Sequence, residues 1–123
     1  MPFEIVQNDI VNMQVDAVVN TANPNPVIGS GVDSGIHKKA GYELLVARQK
    51  IGCIDFGDAV ITPGFNLDAK YIIHTVGPIW RGGNQDEEKL LAECYSNSLQ
   101  IAVDQGIRSV TFPSISTGAY RFP

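Results

Sequence analysis

Residues 15–33 read V-D-A-V-V-N-T-A-N-P-N-P-V-I-G-S-G-V-D, and this stretch decides the fold. Its first part, Val15 to Val19, is rich in valine, which predicts a buried, central β-strand. Asn20 to Val32 holds three asparagines, two prolines and two glycines, a composition typical of a loop. Asp33-Ser34 is typical of a helix N-cap. The stretch therefore predicts a strand, a long loop and a helix in succession.

The rest of the chain continues this alternation. The predicted helix runs from Asp33 to about Gly52, and further elements are the strands Phe3–Gln7, Ala59–Thr62, Lys70–Val76 and Ser109–Phe112 and the helix Asp86–Gln105. This order predicts a single domain over residues 1–123, a three-layer α/β/α fold with a mixed, largely parallel central sheet. We expect the strands Val15–Val19 and Ser109–Phe112 to be central, each with a neighbour on both sides.

The helix Asp86–Gln105 carries the most regular pattern. Three acidic residues, Asp86, Glu87 and Glu88, fill its predicted first turn, where the helix dipole favours negative charge. Gly106 is placed as its C-terminal cap. The predicted apolar face comprises Leu90, Leu91, Cys94, Tyr95, Leu99 and Ala102.

Composition excludes several classes of protein. With 44% hydrophobic and 18% charged residues, the chain is neither disordered nor a coiled coil. Its net charge is −4, from 9 Lys+Arg against 13 Asp+Glu. That balance argues against a nucleic-acid partner, which would require a basic face. A phosphate-bearing ligand could still bind through backbone N–H groups at turns and helix N-termini.

The lack of targeting signals and the spacing of the two cysteines bear on the cellular location of the protein. The longest apolar run, residues 44–47, has four residues, which predicts no membrane span, and the N-terminus does not resemble a signal peptide. Cys53 and Cys94 lie 41 residues apart without C-x-x-C spacing, so no metal site and no disulfide framework is expected. We therefore predict a cytoplasmic protein.

Two loops are expected to form one cleft, because each follows the carboxyl end of a strand. In the first, Gly29 and Gly31 allow close approach of a ligand, and the helix that follows favours an anion. The second, Ser114 to Tyr120, reads S-I-S-T-G-A-Y and offers hydroxyls and backbone N–H groups. Neither loop is a dinucleotide fingerprint or a P-loop, and each could also be a purely structural turn.

Asp33 has two interpretations, whereas His37 and His74 are each given one. Asp33 is either a helix cap or a carboxylate that orients or activates a water molecule. His37 lies at i+4 on the same helix face, and we interpret it as a packing or hydrogen-bonding residue. His74 lies among apolar strand residues and is interpreted as a core histidine whose hydrogen bonds are satisfied.

Together these stretches resemble the macrodomain family of ADP-ribose-binding modules. The similarity covers nearly the whole chain through six motifs in order: residues 8–10, 15–23, 29–37, 59–64, 73–78 and 112–118. Residues 15–23 are similar to the family's V-D-A-I-V-N-A-A-N, residues 29–37 to its G-G-G-V-D-x-x-I-H, and residues 112–118 to its F-P-A-I-S-T-G.

The resemblance implies roles for individual residues. Asp9 and the backbone of Ile10 would bind adenine, Asn23 would hold the distal ribose, and the two loops would surround the diphosphate. Asp33 and Asn23 are the implied catalytic residues, and His37 would support the helix beside Asp33. The implied ligand-binding set is Asp9, Ile10, Asn20, Asn23, Gly29, Ser30, Gly31, Val32, His37, Ser116, Thr117, Gly118, Ala119 and Tyr120.

The implied activity is hydrolysis at the distal ribose of ADP-ribose derivatives, without a cofactor. It would remove mono-ADP-ribose from proteins or deacetylate O-acetyl-ADP-ribose, as in Appr-1-p processing. One alternative is an ADP-ribose reader that binds without turnover. Another is a module that binds RNA or poly(ADP-ribose), which the acidic charge disfavours. Partners would be ADP-ribose or an ADP-ribosylated protein, and no membrane.

Two departures from the family pattern matter. Ile28 and Ser30 occupy positions where some members carry glycine, and we expect them to tighten the distal-ribose pocket. Family members also continue past the second loop with a helix and at least one strand. We therefore expect a macrodomain truncated at its C-terminus, with its sheet completed by the missing segment or by another chain.

Overall fold

The computed structural model describes residues 4, 8–116, 120, 121 and 123. A short 3₁₀ helix, Ile10–Asn12, precedes the first strand. The remaining elements, in chain order, are β1 (Ala17–Thr21), α1 (Val32–Ala40), α2 (Tyr42–Ile51), β2 (Ala59–Pro63), β3 (Tyr71–Thr75), α3 (Glu87–Asp104) and β4 (Val110–Thr111). None of the helices in this described part is long and apolar enough to cross a membrane.

The four strands form one mixed sheet in the order β2-β3-β1-β4. β1 is parallel to both β3 and β4, whereas β2 is antiparallel to β3. The register places Asn20 of β1 opposite His74 of β3. The predicted mixed, largely parallel sheet is therefore confirmed, and β1 is central as expected.

Successive residues of β1 alternate between two hydrophobic cores. Val18 packs with Ile36 of α1 and Leu44 of α2 on one face of the sheet. Val19 packs with Cys94 of α3 on the other face. Helices thus cover both faces, which gives the expected three layers.

The predicted single helix from Asp33 to Gly52 is wrong in two respects. It is divided into α1 and α2 by Gly41, whose φ of 96° lies outside the helical region. The N-cap is Gly31 rather than Asp33, which lies inside the first turn. Gly31 and Gly41 both have a positive φ, which glycine adopts without the steric penalty that a Cβ imposes. The helix can therefore break at Gly41.

The prediction for α3 holds except at its two ends and at one residue of its apolar face, and the helix ends at Asp104, one residue earlier than predicted. The helix begins at Glu87, because Asp86 adopts a left-handed conformation with φ of 60°. Leu99, assigned to the apolar face, is 47% exposed, whereas the neighbouring Ser98 is fully buried. The buried stripe follows Cys94, Ser98 and Ala102, and a hydroxyl lies where the pattern suggested an apolar residue.

The edges of the sheet differ from expectation. β4 is shorter than the predicted strand Ser109–Phe112, and β1 is its one strand neighbour within the described residues. The predicted strand Phe3–Gln7 lies outside the described residues, apart from Glu4. The expectation that β4 has a second neighbour stays a prediction.

Candidate functional site

The two loops predicted to form a cleft line a groove. It consists of two adjoining cavities, of about 470 and about 320 Å³. One contains Asp9 and the other contains Asn23, and we call them the Asp9 half and the Asn23 half. Gly31 and Val32 line both, as do Pro113 and Ser114, so the halves meet between the start of α1 and the end of β4.

The Asp9 half lies at the surface. Asp9 is exposed and caps the 3₁₀ helix, since its carboxylate accepts the N–H of Val11 at 3.2 Å. The Lys39 ammonium donates to the Val11 carbonyl at 3.0 Å and fixes this turn to α1. Ile10 also lines this half, so both residues predicted to bind adenine lie in its wall.

The N-terminus of α1 lies at the middle of the groove. Gly31 precedes the helix with φ of 63°, a conformation that favours glycine. The first N–H groups of a helix have no partner within it and carry partial positive charge. This part of the groove is therefore suited to an anion.

Asp33 fastens the glycine loop to the sheet. Its carboxylate is buried, with Oδ2 accepting the Gly29 N–H at 2.7 Å and Oδ1 accepting the Asn20 side-chain amide at 2.7 Å. His37 Nε2 lies 3.5 Å from Oδ1. Asp33 also lines the Asn23 half, so it is both an anchor of the loop and part of the groove wall.

A buried polar chain supports Asp33 from beneath. The Asn20 amide donates its second proton toward Nδ1 of His74 at 3.0 Å, so Nδ1 is an acceptor. Nε2 of His74 must then carry the proton, and it lies 2.9 Å from the hydroxyl of Thr62. The prediction that His74 is a core histidine with satisfied hydrogen bonds is confirmed.

Burial governs the charge of both histidines. Desolvation, together with repulsion from Arg48 and from the protonated form of His37, lowers the pKa of His74 to about 3. Desolvation also lowers the pKa of His37, although the Asp33 carboxylate opposes it. Neither ring nitrogen of His37 has a hydrogen bond within the described part of the chain, which agrees with a packing role.

Arg48 is a residue that sequence reasoning missed. It lies on α2, is 1% exposed, and donates from Nη2 to the Asn23 carbonyl at 3.3 Å. Burial lowers the pKa of its guanidinium, and the Asp33 carboxylate counteracts that effect. In the sequence, Arg48 is one basic residue of a predicted helix, and nothing in that pattern distinguishes it from a solvent-exposed arginine.

Asn23 lies just beyond β1, where Tyr120 and Gly29 approach it. The Tyr120 hydroxyl donates to Asn23 Oδ1 at 3.4 Å, a long hydrogen bond. A Cβ on Gly29 would lie 2.6 Å from Asn23 Nδ2, so a larger residue there would displace the Asn23 side chain. The structure thus brings Asn23, Asp33, Gly29 and Tyr120 together, as predicted.

The second loop contributes Ser116, which adopts a left-handed conformation with φ of 66°. Its hydroxyl is buried in the wall of the Asn23 half and has no hydrogen-bond partner among the described residues. A Cβ on Gly77 would lie 2.0 Å from this hydroxyl, so Gly77, also missed from sequence, is needed to make room for it. Thr117, Gly118 and Ala119 lie outside the described residues.

Ile28 and Ser30, the two positions that depart from the family pattern, differ in their relation to the groove. Ser30 lines the Asn23 half. Ile28 is 49% exposed and does not line the groove, because the loop turns its side chain outward. The expectation that both residues tighten this pocket therefore applies to Ser30 alone.

Comparison with known proteins identifies the family. The model of the Macro domain family matches residues 19–123. A macro domain-containing protein of Methanosarcina mazei is 52% identical over 121 residues, covering 98% of this chain and 65% of the relative. A Cronobacter turicensis protein named O-acetyl-ADP-ribose deacetylase is 50% identical over 125 residues, covering 98% and 71%.

Solved structures agree. A macrodomain of Oceanobacillus iheyensis with ADP has a TM-score of 0.91 at 42% identity, covering 94% of this chain and 65% of that chain. A Trypanosoma brucei macrodomain in complex with ADP has a TM-score of 0.86 at 37% identity, covering 94% and 47%. The chain spans about two thirds of the length of the curated relatives it matches. This chain belongs to the Macro domain family.

Proposed function

We propose that the groove binds ADP-ribose, with adenine in the Asp9 half, the diphosphate beside Gly31 and Val32, and the distal ribose in the Asn23 half. The observation that carries this proposal is that the two halves are joined at the N-terminus of α1. A ligand that is neutral and ring-shaped at each end and anionic in the middle matches that order. Macrodomains of this fold have been solved with ADP and with ADPR.

The charge of the groove supports the same ligand class. Among the described residues that line it there is no lysine or arginine. A diphosphate would therefore be held by backbone N–H groups of a helix start and a loop, which act at short range. RNA, whose binding depends on basic residues and counterion release, is disfavoured.

We further propose that the protein hydrolyses ADP-ribose derivatives at the distal ribose. Asn23 would hold that ribose, and Asp33 would orient the attacking water. A carboxylate has about four acceptor positions. Two of those on Asp33 are used by Gly29 and Asn20, which leaves capacity for a water.

A reader that binds without turnover is the alternative, and one observation favours it. Both oxygens of Asp33 already have partners within the protein, so loop anchoring alone would explain the residue. Under this alternative, ADP-ribose binds and its derivatives are not cleaved.

Two measurements on the same preparation separate these possibilities. Calorimetric titration should show 1:1 binding of ADP-ribose that is tighter than binding of AMP, because AMP lacks the groups that reach the Asn23 half. Incubation with O-acetyl-ADP-ribose and with a mono-ADP-ribosylated protein should release acetate and ADP-ribose, respectively. Binding without release would leave the reader, and absence of binding would refute the proposal.

A further inference from the structure

Glu87, the first residue of α3, is a buried carboxylate to which the site described above assigns no role. Its side chain is 1% exposed. Oε2 accepts the N–H groups of Arg81 and Gly83, both at 2.9 Å, and Oε1 accepts the N–H of Gln85. One carboxylate thus fixes three backbone positions of the Trp80–Gln85 loop, residues 80–85.

This arrangement depends on the ionised form of Glu87. Burial would raise its pKa, but the N–H groups of Arg81, Gly83 and Gln85, together with its own backbone N–H, outweigh that effect, and the pKa is lowered. An amide in the same place would turn an N–H toward at least one of the loop's own N–H groups. The Trp80–Gln85 loop therefore depends on a carboxylate at position 87.

The Trp80–Gln85 loop is connected to the groove through Tyr120. The backbone N–H of Trp80 donates to the Tyr120 carbonyl at 2.7 Å. The Tyr120 side chain lines the Asn23 half, and its hydroxyl donates to Asn23 Oδ1 at 3.4 Å. A shift of the Trp80 backbone would accordingly move Tyr120 and the side chain that it contacts.

We propose that Glu87 is a positioning residue for the Asn23 half of the groove, acting through the Trp80–Gln85 loop on Tyr120. This inference rests on the proposed function, because it concerns the part of ADP-ribose beyond the first phosphate. Glu87 does not touch the ligand. It sets how well the distal ribose is bound and has little influence on the adenine end, where Asp9 lies.

The test compares Glu87→Gln with Glu88→Gln, a matched control. Glu88 is an exposed neighbour in the same helical turn, and its substitution removes the same charge. Affinities for ADP-ribose and AMP are measured by calorimetry. Glu87→Gln should weaken ADP-ribose binding about tenfold and AMP binding less than twofold, whereas Glu88→Gln should change neither. A general loss of stability would weaken the binding of ADP-ribose and AMP alike.

The fluorescence of Trp80 reports displacement of the Trp80–Gln85 loop, because Trp80 is the single tryptophan of the chain. Glu87→Gln should shift its fluorescence emission, and Glu88→Gln should not. Gly83→Ala moves the loop with Glu87 intact, since φ is +87° and a Cβ there would lie 3.0 Å from the Trp80 ring. Gly83→Ala should give the same selective loss of ADP-ribose affinity, and it tests the positioning role even if Glu87→Gln does not fold.

The outcomes distinguish this inference from the proposed function. If the unaltered protein does not bind ADP-ribose more tightly than AMP, the proposed function fails. If it does, and both Glu87→Gln and Gly83→Ala match Glu88→Gln in affinity and emission, the positioning role alone is wrong. Equal weakening of ADP-ribose and AMP would also overturn it.

Discussion

The two halves of the groove are built differently. The Asn23 half rests on a buried polar chain, in which Asp33, Asn20 and His74 are each at most 2% exposed. The Asp9 half rests on an exposed aspartate at the start of a single 3₁₀ turn. A change in the Asn23 half should therefore alter both fold and ligand binding, whereas a change in the Asp9 half should alter binding alone.

The largest expected effect is the loss of stability in acid through His74. Its pKa is about 3 in the folded protein and 6.5 when unfolded, so the folded state binds fewer protons between these values. The resulting stability is complete above pH 6.5 and is lost as the pH falls toward 3. We expect a loss of about 3 kcal/mol between pH 6.5 and pH 4, measured by urea unfolding.

The variant His74→Gln is the control for this titration. It should be less stable at pH 7 and lose stability less steeply below pH 6.5. Equal slopes for the variant and the unaltered protein would show that the buried chain under the Asn23 half does not have the charge state inferred here.

Asp33→Asn tests the chemistry of the Asn23 half. The amide can still accept from Asn20, but its NH₂ group cannot accept the Gly29 N–H. We expect hydrolysis of O-acetyl-ADP-ribose to slow about a hundredfold, with a smaller effect on ADP-ribose affinity. If turnover is kept while affinity falls, Asp33 only anchors the glycine loop.

Gly77→Ala tests the packing of the same half. A Cβ at this position would lie 2.0 Å from Ser116 Oγ and 2.6 Å from Ile115 Cγ2, so these side chains must shift. We expect a destabilisation of about 2 kcal/mol and weakened ADP-ribose binding. For comparison, a Cβ on Gly35 of α1 would lie 3.9 Å from Val11, so Gly35→Ala should leave stability unchanged or raise it slightly. Equal stability of the two variants would contradict the steric argument.

Asp9→Ala should have the smallest effect. Because Asp9 is exposed, we expect about a fivefold loss of ADP-ribose affinity and little change in the free energy of unfolding beyond that of one cap. Discrimination between ADP-ribose and its inosine analogue should fall at the same time. Unchanged discrimination would show that this residue does not bind adenine.

Much of the fold follows from local patterns. The strand Ala17–Thr21 was predicted within two residues of its ends because valine-rich runs between turns have few alternatives. The break at Gly41 was missed because glycine inside a periodic stretch is compatible with a continuous helix. The exposure of Leu99 depends on how α3 rotates against the sheet, which the periodicity of one helix does not fix.

The site, too, could be predicted in part from local sequence patterns, whereas the rest of it depends on burial. Glycines and asparagines after a strand predicted where the groove lies. Arg48 and Glu87 were missed because their roles come from burial, and a helical arginine or a first-turn glutamate is ordinarily solvated. Glu87 was assigned to the helix dipole, yet its carboxylate accepts N–H groups of the preceding loop.

The central claim is that ADP-ribose lies along the whole groove, with its diphosphate at the start of α1. A crystal structure of the complex tests it directly. We expect adenine within hydrogen-bond distance of Asp9, phosphate oxygens against the backbone at Gly31 and Val32, and the distal ribose at Asn23. A diphosphate bound away from the α1 N-terminus, or a ligand confined to the Asp9 half, would contradict it.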